Sequence, residues 1–146
     1  MLSNGTALPS NDNAVVGHDG GIDISEDGGW SWRKVALLPV TQFYHITIDA
    51  SNPGHLLGGT QDNGTLRTRT GSVDDWEEIY GGDGFYVIVD PKNPNIIYAE
   101  SQFGGLGKST DGGQSFSSAL NGINLNEPRN WATPVVMDPN NPLVLY

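Results

Sequence analysis

The sequence contains no cysteine, so neither a disulfide framework nor a thiolate metal site is available to it. Cationic residues are also scarce, because 7 Lys and Arg stand against 17 Asp and Glu, for a net charge of −10. This balance argues against partners such as DNA, RNA or an anionic membrane surface, all of which need a cationic footprint. It is compatible with neutral sugars, peptides or cations, and with solubility alone. We expect no cofactor and no bound metal.

Long apolar runs and strong helix-forming stretches are missing as well. No run approaches the roughly 18 apolar residues that a transmembrane helix requires, so we expect no membrane insertion. The first ten residues, MLSNGTALPS, lack the basic region and apolar core of a signal peptide. No helix is predicted anywhere in the chain.

What the sequence does have is 20 Gly and 9 Pro, spread between short apolar runs. Such a composition is typical of an all-β protein with many short strands. The most complete unit runs from Phe85 to Phe116. It reads as a strand, an Asp-Pro-Lys-Asn-Pro turn, a second strand, a Gly-Gly turn, a third strand and an octapeptide that begins at Ser109. In the preceding unit, Asn63-Gly64 predicts a type I′ hairpin turn.

The rest of the chain repeats this unit. Asp49, Asp90 and Asp138 each end a first strand, at spacings of 41 and 48 residues. Ser25 and Ser109 begin the same octapeptide 84 residues apart, which is two periods of 42. A period near 40 residues with four antiparallel strands per unit predicts the blades of a β-propeller.

We therefore predict a lead-in segment over residues 1–13 and a propeller segment over residues 14–146. The predicted blades are about 14–40, 41–81 and 82–121, with a partial blade at 131–146. Three blades and part of a fourth do not close a ring, and an open arc would expose strand edges and sheet faces. Either the chain is part of a larger propeller, or copies of it assemble as a homo-oligomer that completes the ring.

Two octapeptides carry a resemblance to a known family. Ser25-x-Asp27-x-Gly29-x-Ser31-Trp32 and its copy Ser109 to Phe116 resemble the Asp-box, also called the bacterial neuraminidase repeat. With the Asp-Pro-x-Asn-Pro turns and the Gly-Gly-Thr-Gln-Asp-Asn-Gly stretch, residues 14–146 look most like sortilin-like and xyloglucanase-like bacterial repeat proteins. The matching stretch at residues 68–72 lacks the Asp and reads as a degenerate box.

The resemblance implies a structural role for the boxes, at a distance from any active site. A short Asp side chain accepts hydrogen bonds from nearby backbone N–H groups, the glycines permit positive φ, and the final aromatic packs between sheets. A catalytic role for the box aspartates is the alternative. The residues expected to act as structural elements are Ser25, Asp27, Gly29, Trp32, Ser109, Asp111, Gly113 and Phe116.

A ligand site is expected on the propeller face opposite the boxes. That face collects the turns between second and third strands and the links between blades, which here carry amides, carboxylates and aromatics. Amides bond sugar hydroxyls and aromatic faces cover sugar rings, so the mixture suits a glycan; a protein ligand is the other partner considered. The candidate ligand-binding residues are His18, Gln42, Gln61, Asn63, Gln102, Phe103, Asn130 and Trp131.

Three carboxylates in the same turns, Asp19, Asp62 and Asp83, are the candidate catalytic residues, since a glycosidase needs two carboxylates several ångströms apart. The alternative is that each is a turn aspartate in contact with water. A sialidase is disfavoured, because four scattered arginines do not supply the cluster that holds its substrate's carboxylate.

Two functions follow. The favoured one is a non-catalytic binding or scaffold segment of a larger exported bacterial protein, extracellular or periplasmic in origin. The alternative is part of a glycoside hydrolase of the xyloglucanase type.

Overall fold

The computed structural model describes residues 13–18, 21–35 and 41–146, so most of the predicted lead-in segment, Asp19 and residues 36–40 lie outside the described ranges. The chain divides into two compact units, Met1–Val40 and Thr41–Tyr146. The predicted all-β fold is confirmed, with three antiparallel sheets of three or four strands. Among the described residues there is no α-helix, and so none that could cross a membrane.

The first unit holds a three-stranded sheet of β1 (Ala14–His18), β2 (Gly21–Ser25) and β3 (Arg33–Lys34), in that order. β1 pairs with β2 from Ala14↔Ser25 to His18↔Gly21. Four strands per blade were predicted, and this sheet has three within the described part of the unit. The strand predicted after the octapeptide was to run to residue 37, and its end falls outside that part.

The second unit contains two four-stranded meanders, in which each strand pairs antiparallel with the next along the chain. Turn-forming Gly, Asn, Asp and Pro bound these short strands, as the composition predicts. The first sheet contains β4 (Phe43–Ile48), β5 (Leu56–Thr60), β6 (Gly64–Thr68) and β7 (Glu77–Tyr80). The second contains β8 (Val87–Asp90), β9 (Asn93–Ser101), β10 (Gly105–Ser109) and β11 (Ser117–Ser118).

The three Asp turns are alike in their hydrogen bonds. At Asp49, Asp90 and Asp138 one carboxylate oxygen accepts the N–H of the residue two further along, at 2.8, 2.7 and 2.8 Å. This side-chain bond fixes the turn that reverses the chain after each first strand. The third turn leads back to an antiparallel bridge between Met137 and Leu145.

The core of the second unit lies where its two sheets pack. Leu57 of β5 and Val87, Val89 and Ile97 of the second sheet form one buried cluster, against which Ile79 and Phe116 pack. Leu57 is fully buried, so removing its side chain would cost about 3 kcal/mol. This packing fixes the relative position of the turns at the sheet ends, and therefore of the site described next.

Candidate functional site

The segments Ser25–Trp32, Thr68–Asp75 and Ser109–Phe116 begin at the last residues of β2, β6 and β10 and lead to the last strand of each sheet. We call them the first, second and third corners. In the third corner, the Ser109 hydroxyl donates to Asp111 Oδ1 at 2.7 Å and accepts the Gly113 N–H at 2.8 Å. The Ser115 hydroxyl donates to Asp111 Oδ2 at 2.5 Å. The bonds from Ser115 and Ser109 hold the pKa of Asp111 well below its usual range.

The first corner repeats this pattern. Ser31 donates to Asp27 through its hydroxyl and N–H, at 2.6 and 2.9 Å, and Ser25 Oγ accepts the Gly29 N–H at 2.7 Å. These bonds, with the one from the Ser25 hydroxyl, lower the pKa of Asp27 to about 2. A carboxyl group held ionised in this way is a poor general acid at neutral pH. Trp32 is half-exposed, and its indole N–H donates to Gly29 O at 3.1 Å.

The second corner has hydrogen bonds like those of the other two, although residues 68–72 lack the aspartate of the box. Asp75 supplies the carboxylate from the far end of the segment. It accepts hydrogen bonds from the Thr68 hydroxyl and from the Thr70 N–H and hydroxyl, the last two at 3.1 and 2.6 Å. The Thr68 hydroxyl in turn accepts the Gly71 N–H at 2.9 Å. An aspartate seven residues after a strand-ending threonine was the signal available in the sequence.

At the opposite ends of the strands, the turns between second and third strands share one backbone plan. The Thr60 hydroxyl donates to Gly64 O at 2.8 Å, and the Ser101 hydroxyl donates to Gly105 O at 3.1 Å. The middle residue of each turn, Asp62 or Phe103, has a φ of 59°. The predicted type I′ turn at Asn63-Gly64 is wrong, because Gly64 already pairs with Thr60 in the sheet and positive φ falls on Asp62 rather than Asn63.

Hydrogen bonds join these turns to the links between blades. The N–H of Asp62 donates to Asp83 Oδ1 at 2.8 Å, and the N–H of Asp83 donates to Gln102 Oε1 at 3.0 Å. The N–H of Phe103, next to Gln102, donates to Trp131 O at 2.9 Å. The structure thereby brings together candidates from four separate segments of the chain.

Aromatic contacts close the series. The Phe103 and Trp131 rings meet edge to face with centroids 4.9 Å apart, and Trp131 meets Phe85 at 6.0 Å. Phe85 stacks on Tyr44 at 4.9 Å, and the Tyr44 hydroxyl donates to Gln61 Oε1 at 2.7 Å. Since Gln61 precedes Asp62, the contacts return to their start. We call this closed set the rim: Tyr44, Gln61, Asp62, Asp83, Phe85, Gln102, Phe103 and Trp131.

The rim presents aromatic surface to solvent above a buried support. Tyr44, Phe103 and Trp131 are 44%, 49% and 46% exposed, whereas Phe85 beneath them is 2% exposed. A buried ring that contacts two half-exposed rings restricts their side-chain freedom before any ligand arrives. Next to them stand amide and carboxylate groups that bond hydroxyls, so the rim can hold a molecule with one apolar face and polar edges.

Three other candidates, Asn63, Asn130 and Gln42, lie within two residues of rim residues in sequence but are not in the closed series of contacts. The Asn63 amide donates to Gln61 O at 3.1 Å, and the Asn130 carbonyl accepts the Thr133 hydroxyl at 3.2 Å. Gln42 is exposed and directly precedes β4. Their part in ligand binding stays a prediction.

Two candidates, His18 and Asp19, belong to the first unit. His18 ends β1, and its Nε2 lies 2.7 Å from Asp23 Oδ2. Asp19 lies outside the described residues. Within the described ranges, no three His, Asp or Glu side chains gather in a way that could hold a metal ion.

One buried carboxyl group was missed by the sequence analysis. Glu100 ends the apolar run of β9, is fully buried, and occupies the place that Gly59 has in the preceding sheet. Its oxygens accept the backbone N–H groups of Thr133, at 2.6 Å, and Tyr86, at 3.3 Å. Burial raises the pKa of Glu100. A glutamate that interrupts an apolar strand just before a turn was the signal in the sequence.

No family model matches the sequence, and no curated protein matches it either. Solved structures do match its fold. An ancestral GH74 enzyme aligns with 96% of this chain at a TM-score of 0.60 and 20% identity. The GH74 xyloglucanase from Xanthomonas campestris aligns with 96% at 0.53 and 21%, and the Niastella koreensis GH74 enzyme with 82% at 0.53 and 23%.

The fold is that of β-propeller blades. The aligned region amounts to 21%, 24% and 20% of those three proteins, so this chain spans about a fifth of their length. At these identities the likeness concerns the fold.

Proposed function

We propose that this chain is an Asp-box segment of a larger exported bacterial propeller protein, and that it binds a glycan at the rim without transforming it. The single observation that supports the proposal is the closed series of contacts that sets Tyr44, Phe103 and Trp131 half-exposed beside amides and carboxylates. The corner hydrogen bonds support the Asp-box assignment.

The chemistry of the rim favours a sugar ring over a flat hydrophobic ligand. Sugar C–H groups cover an aromatic face, while their hydroxyls need acceptors and donors at its edge. Gln61 and Gln102 are half-buried and already hydrogen-bonded through Oε1, so their NH₂ groups are oriented as donors. Such prior ordering reduces the entropy that a ligand must offset.

Titration of the chain with neutral plant cell-wall oligosaccharides, followed by calorimetry, tests the proposal. Trp131→Ala should weaken binding about tenfold or more, because it removes one of the three exposed ring faces. Trp30→Ala is the matched control, since Trp30 is 91% exposed and belongs to the first corner. Equal affinity of the Trp131→Ala and Trp30→Ala variants, or no binding by the unaltered chain, would refute the proposal.

A second function is favoured by two observations. The backbone N–H of Asp62 donates to the carboxylate of Asp83, which brings the two residues together, and the fold is like that of GH74 enzymes. In it, Asp62 and Asp83 act as the carboxylate pair of a glycoside hydrolase. Release of new reducing ends from xyloglucan, abolished by Asp62→Asn or Asp83→Asn, would support this function. Glycan binding that survives both substitutions, with no release of reducing ends by the unaltered chain, supports the first function.

The partners of the segment are further blades, either of a longer chain or of other copies. The support for this is that the chain spans about a fifth of the enzymes whose fold it shares. Analytical ultracentrifugation of the isolated chain at increasing concentration tests the version with other copies, for which a rising sedimentation coefficient is expected. If the chain is a monomer at all concentrations, the proposed partners are further blades of a longer chain.

A further inference from the structure

Arg129, near the rim, differs from the other three arginines in its carboxylate partners. Arg33, Arg67 and Arg69 each face a carboxylate, at 3.5, 2.6 and 3.4 Å. Arg129 has no carboxylate within 4.0 Å among residues 13–18, 21–35 and 41–146. In a chain with net charge −10, an arginine without an ion pair in the described region is notable, because acids outnumber bases more than twofold.

Two acids in or linked to the segment of Arg129 bond other groups. Glu100, which reaches the same segment through Thr133, accepts two backbone N–H groups. Glu127, two residues before Arg129, accepts the Asn124 amide at 3.0 Å through Oε1. With no ion pair among the described residues, the guanidinium charge of Arg129 is not neutralised by a carboxylate there.

The position of Arg129 is fixed beside the aromatic part of the rim. Its Cδ lies 3.6 Å from the point where a Cβ on Gly104 would stand, and Thr133 Oγ1 lies 3.1 Å from that point. Gly104 has a φ of +68° and directly follows Phe103, so the glycine provides the room in which the Arg129 stem packs. Trp131 follows Arg129 by two residues and contacts the Phe103 ring.

We infer that Arg129 makes the rim selective for a glycan that carries a carboxylate, such as one with a single uronic acid residue. This rests on the proposed glycan binding at the rim. The planar guanidinium donates two parallel hydrogen bonds to a carboxylate, while the adjacent Phe103 and Trp131 faces cover the sugar ring. Asp62, Asp83 and the overall negative charge repel long polyanions, so an isolated carboxylate is favoured over a sulfated polymer or a nucleic acid.

A matched pair of ligands tests this: an oligosaccharide with one glucuronic acid residue, and the same oligosaccharide as its methyl ester. The unaltered chain should bind the acid about tenfold more tightly than the ester at low salt, and less selectively as salt rises. Arg129→Gln should remove the preference while leaving ester binding unchanged. Arg129→Lys, which keeps the charge and the aliphatic stem, should retain part of it. Lys92→Gln is the control, since Lys92 donates to Asn140 O near the Asp turns.

The outcomes separate the two proposals. Equal binding of acid and ester by the unaltered chain overturns the role of Arg129 and leaves glycan binding at the rim standing. Binding of neither ligand overturns both. A short peptide that binds through its terminal carboxylate more tightly than the uronic acid glycan would overturn the sugar assignment. Circular dichroism of the Arg129→Gln variant shows whether a loss of binding comes from unfolding. If that variant is unfolded, the acid-over-ester preference of Arg129→Lys is the test of the proposal.

Discussion

The two four-stranded sheets of the second unit follow one backbone plan and use it for different chemistry. At the end of the first sheet, the N–H of Asp62 donates to the carboxylate of Asp83. At the same place in the second, the N–H of Phe103 donates to the carbonyl of Trp131, and their rings touch. The repeated turn fixes where a side chain stands, and the residue in its middle decides whether the rim is acidic or aromatic there.

The junctions beneath these turns differ in the same way. Gly59 lets the backbone of the next blade approach so closely that a Cβ would lie 2.2 Å from Phe85 O. The matching residue of the next sheet, Glu100, instead extends a carboxylate to the N–H of Thr133. One junction is therefore closed by backbone contact, and the other by a buried side chain that depends on pH.

The largest expected effect comes from Gly59→Ala. The added methyl group would meet the backbone of Gly84 and Phe85, which cannot move aside as a side chain can, so we expect a loss of about 3 kcal/mol in unfolding free energy. Gly17→Ala is the control, because nothing lies within 4 Å of a Cβ there. Urea denaturation measures both, and equal stability of the two variants would contradict the tight junction.

Arg67→Lys should have the next largest effect. Arg67 is buried, donates to Glu77 at 2.6 and 3.0 Å, and donates to the Gly112 carbonyl of the third corner. Lysine cannot make these bonds together, so we expect a loss of about 2 kcal/mol.

The control for Arg67 is the matching cation of the next sheet. Lys108 lies 5.4 Å from the Tyr98 ring centroid, where arginine stacks equally well, so Lys108→Arg should change stability little. Thermal denaturation compares the two substitutions. A smaller loss for Arg67→Lys than for Lys108→Arg would show that the buried guanidinium does not join the two sheets.

Glu100→Gln should change how stability depends on pH. Because burial raises the pKa of Glu100 in the folded state, its contribution is fully present below the pKa of the unfolded chain and is lost as pH rises through the folded value. The glutamine variant therefore gains relative to the unaltered chain as pH rises, by about 1.4 kcal/mol per unit of elevation. Urea denaturation from pH 4 to pH 8 measures this, with Glu127→Gln as an exposed control. A constant difference across that range would refute it.

The smallest effect is expected at the corners. Asp75→Asn and Asp111→Asn should each lower the melting temperature by a few degrees at neutral pH, because each carboxylate accepts bonds from hydroxyls and N–H groups of its turn. The pKa of both is lowered, so these contributions are present above the unfolded pKa and disappear as pH falls through the folded one. If Asp75→Asn leaves the melting temperature unchanged while Asp111→Asn lowers it, the second corner is stabilised by other contacts.

Period and turn chemistry were readable from the sequence because they depend on local bonds. The spacing of Asp49, Asp90 and Asp138 predicted the four-stranded units, and each carboxylate does bond its own turn. The links that close the rim, such as Asp83 to Gln102, join residues far apart in sequence and leave no local signal. Burial of Glu100 also depends on packing against a later segment, so its role could not be read from its neighbours.

The exchange of positions at the second corner has a consequence for how such repeats are counted. There Thr70 stands where its counterparts have an aspartate, and the acid is Asp75, five residues further along the chain. The turn nevertheless contains the same kinds of donors and acceptors. Polar partners can thus exchange positions between repeats of one chain while the strand that follows still forms. A sequence search that requires fixed residue types at fixed spacings will therefore detect fewer repeats in chains of this kind than the folded structure contains.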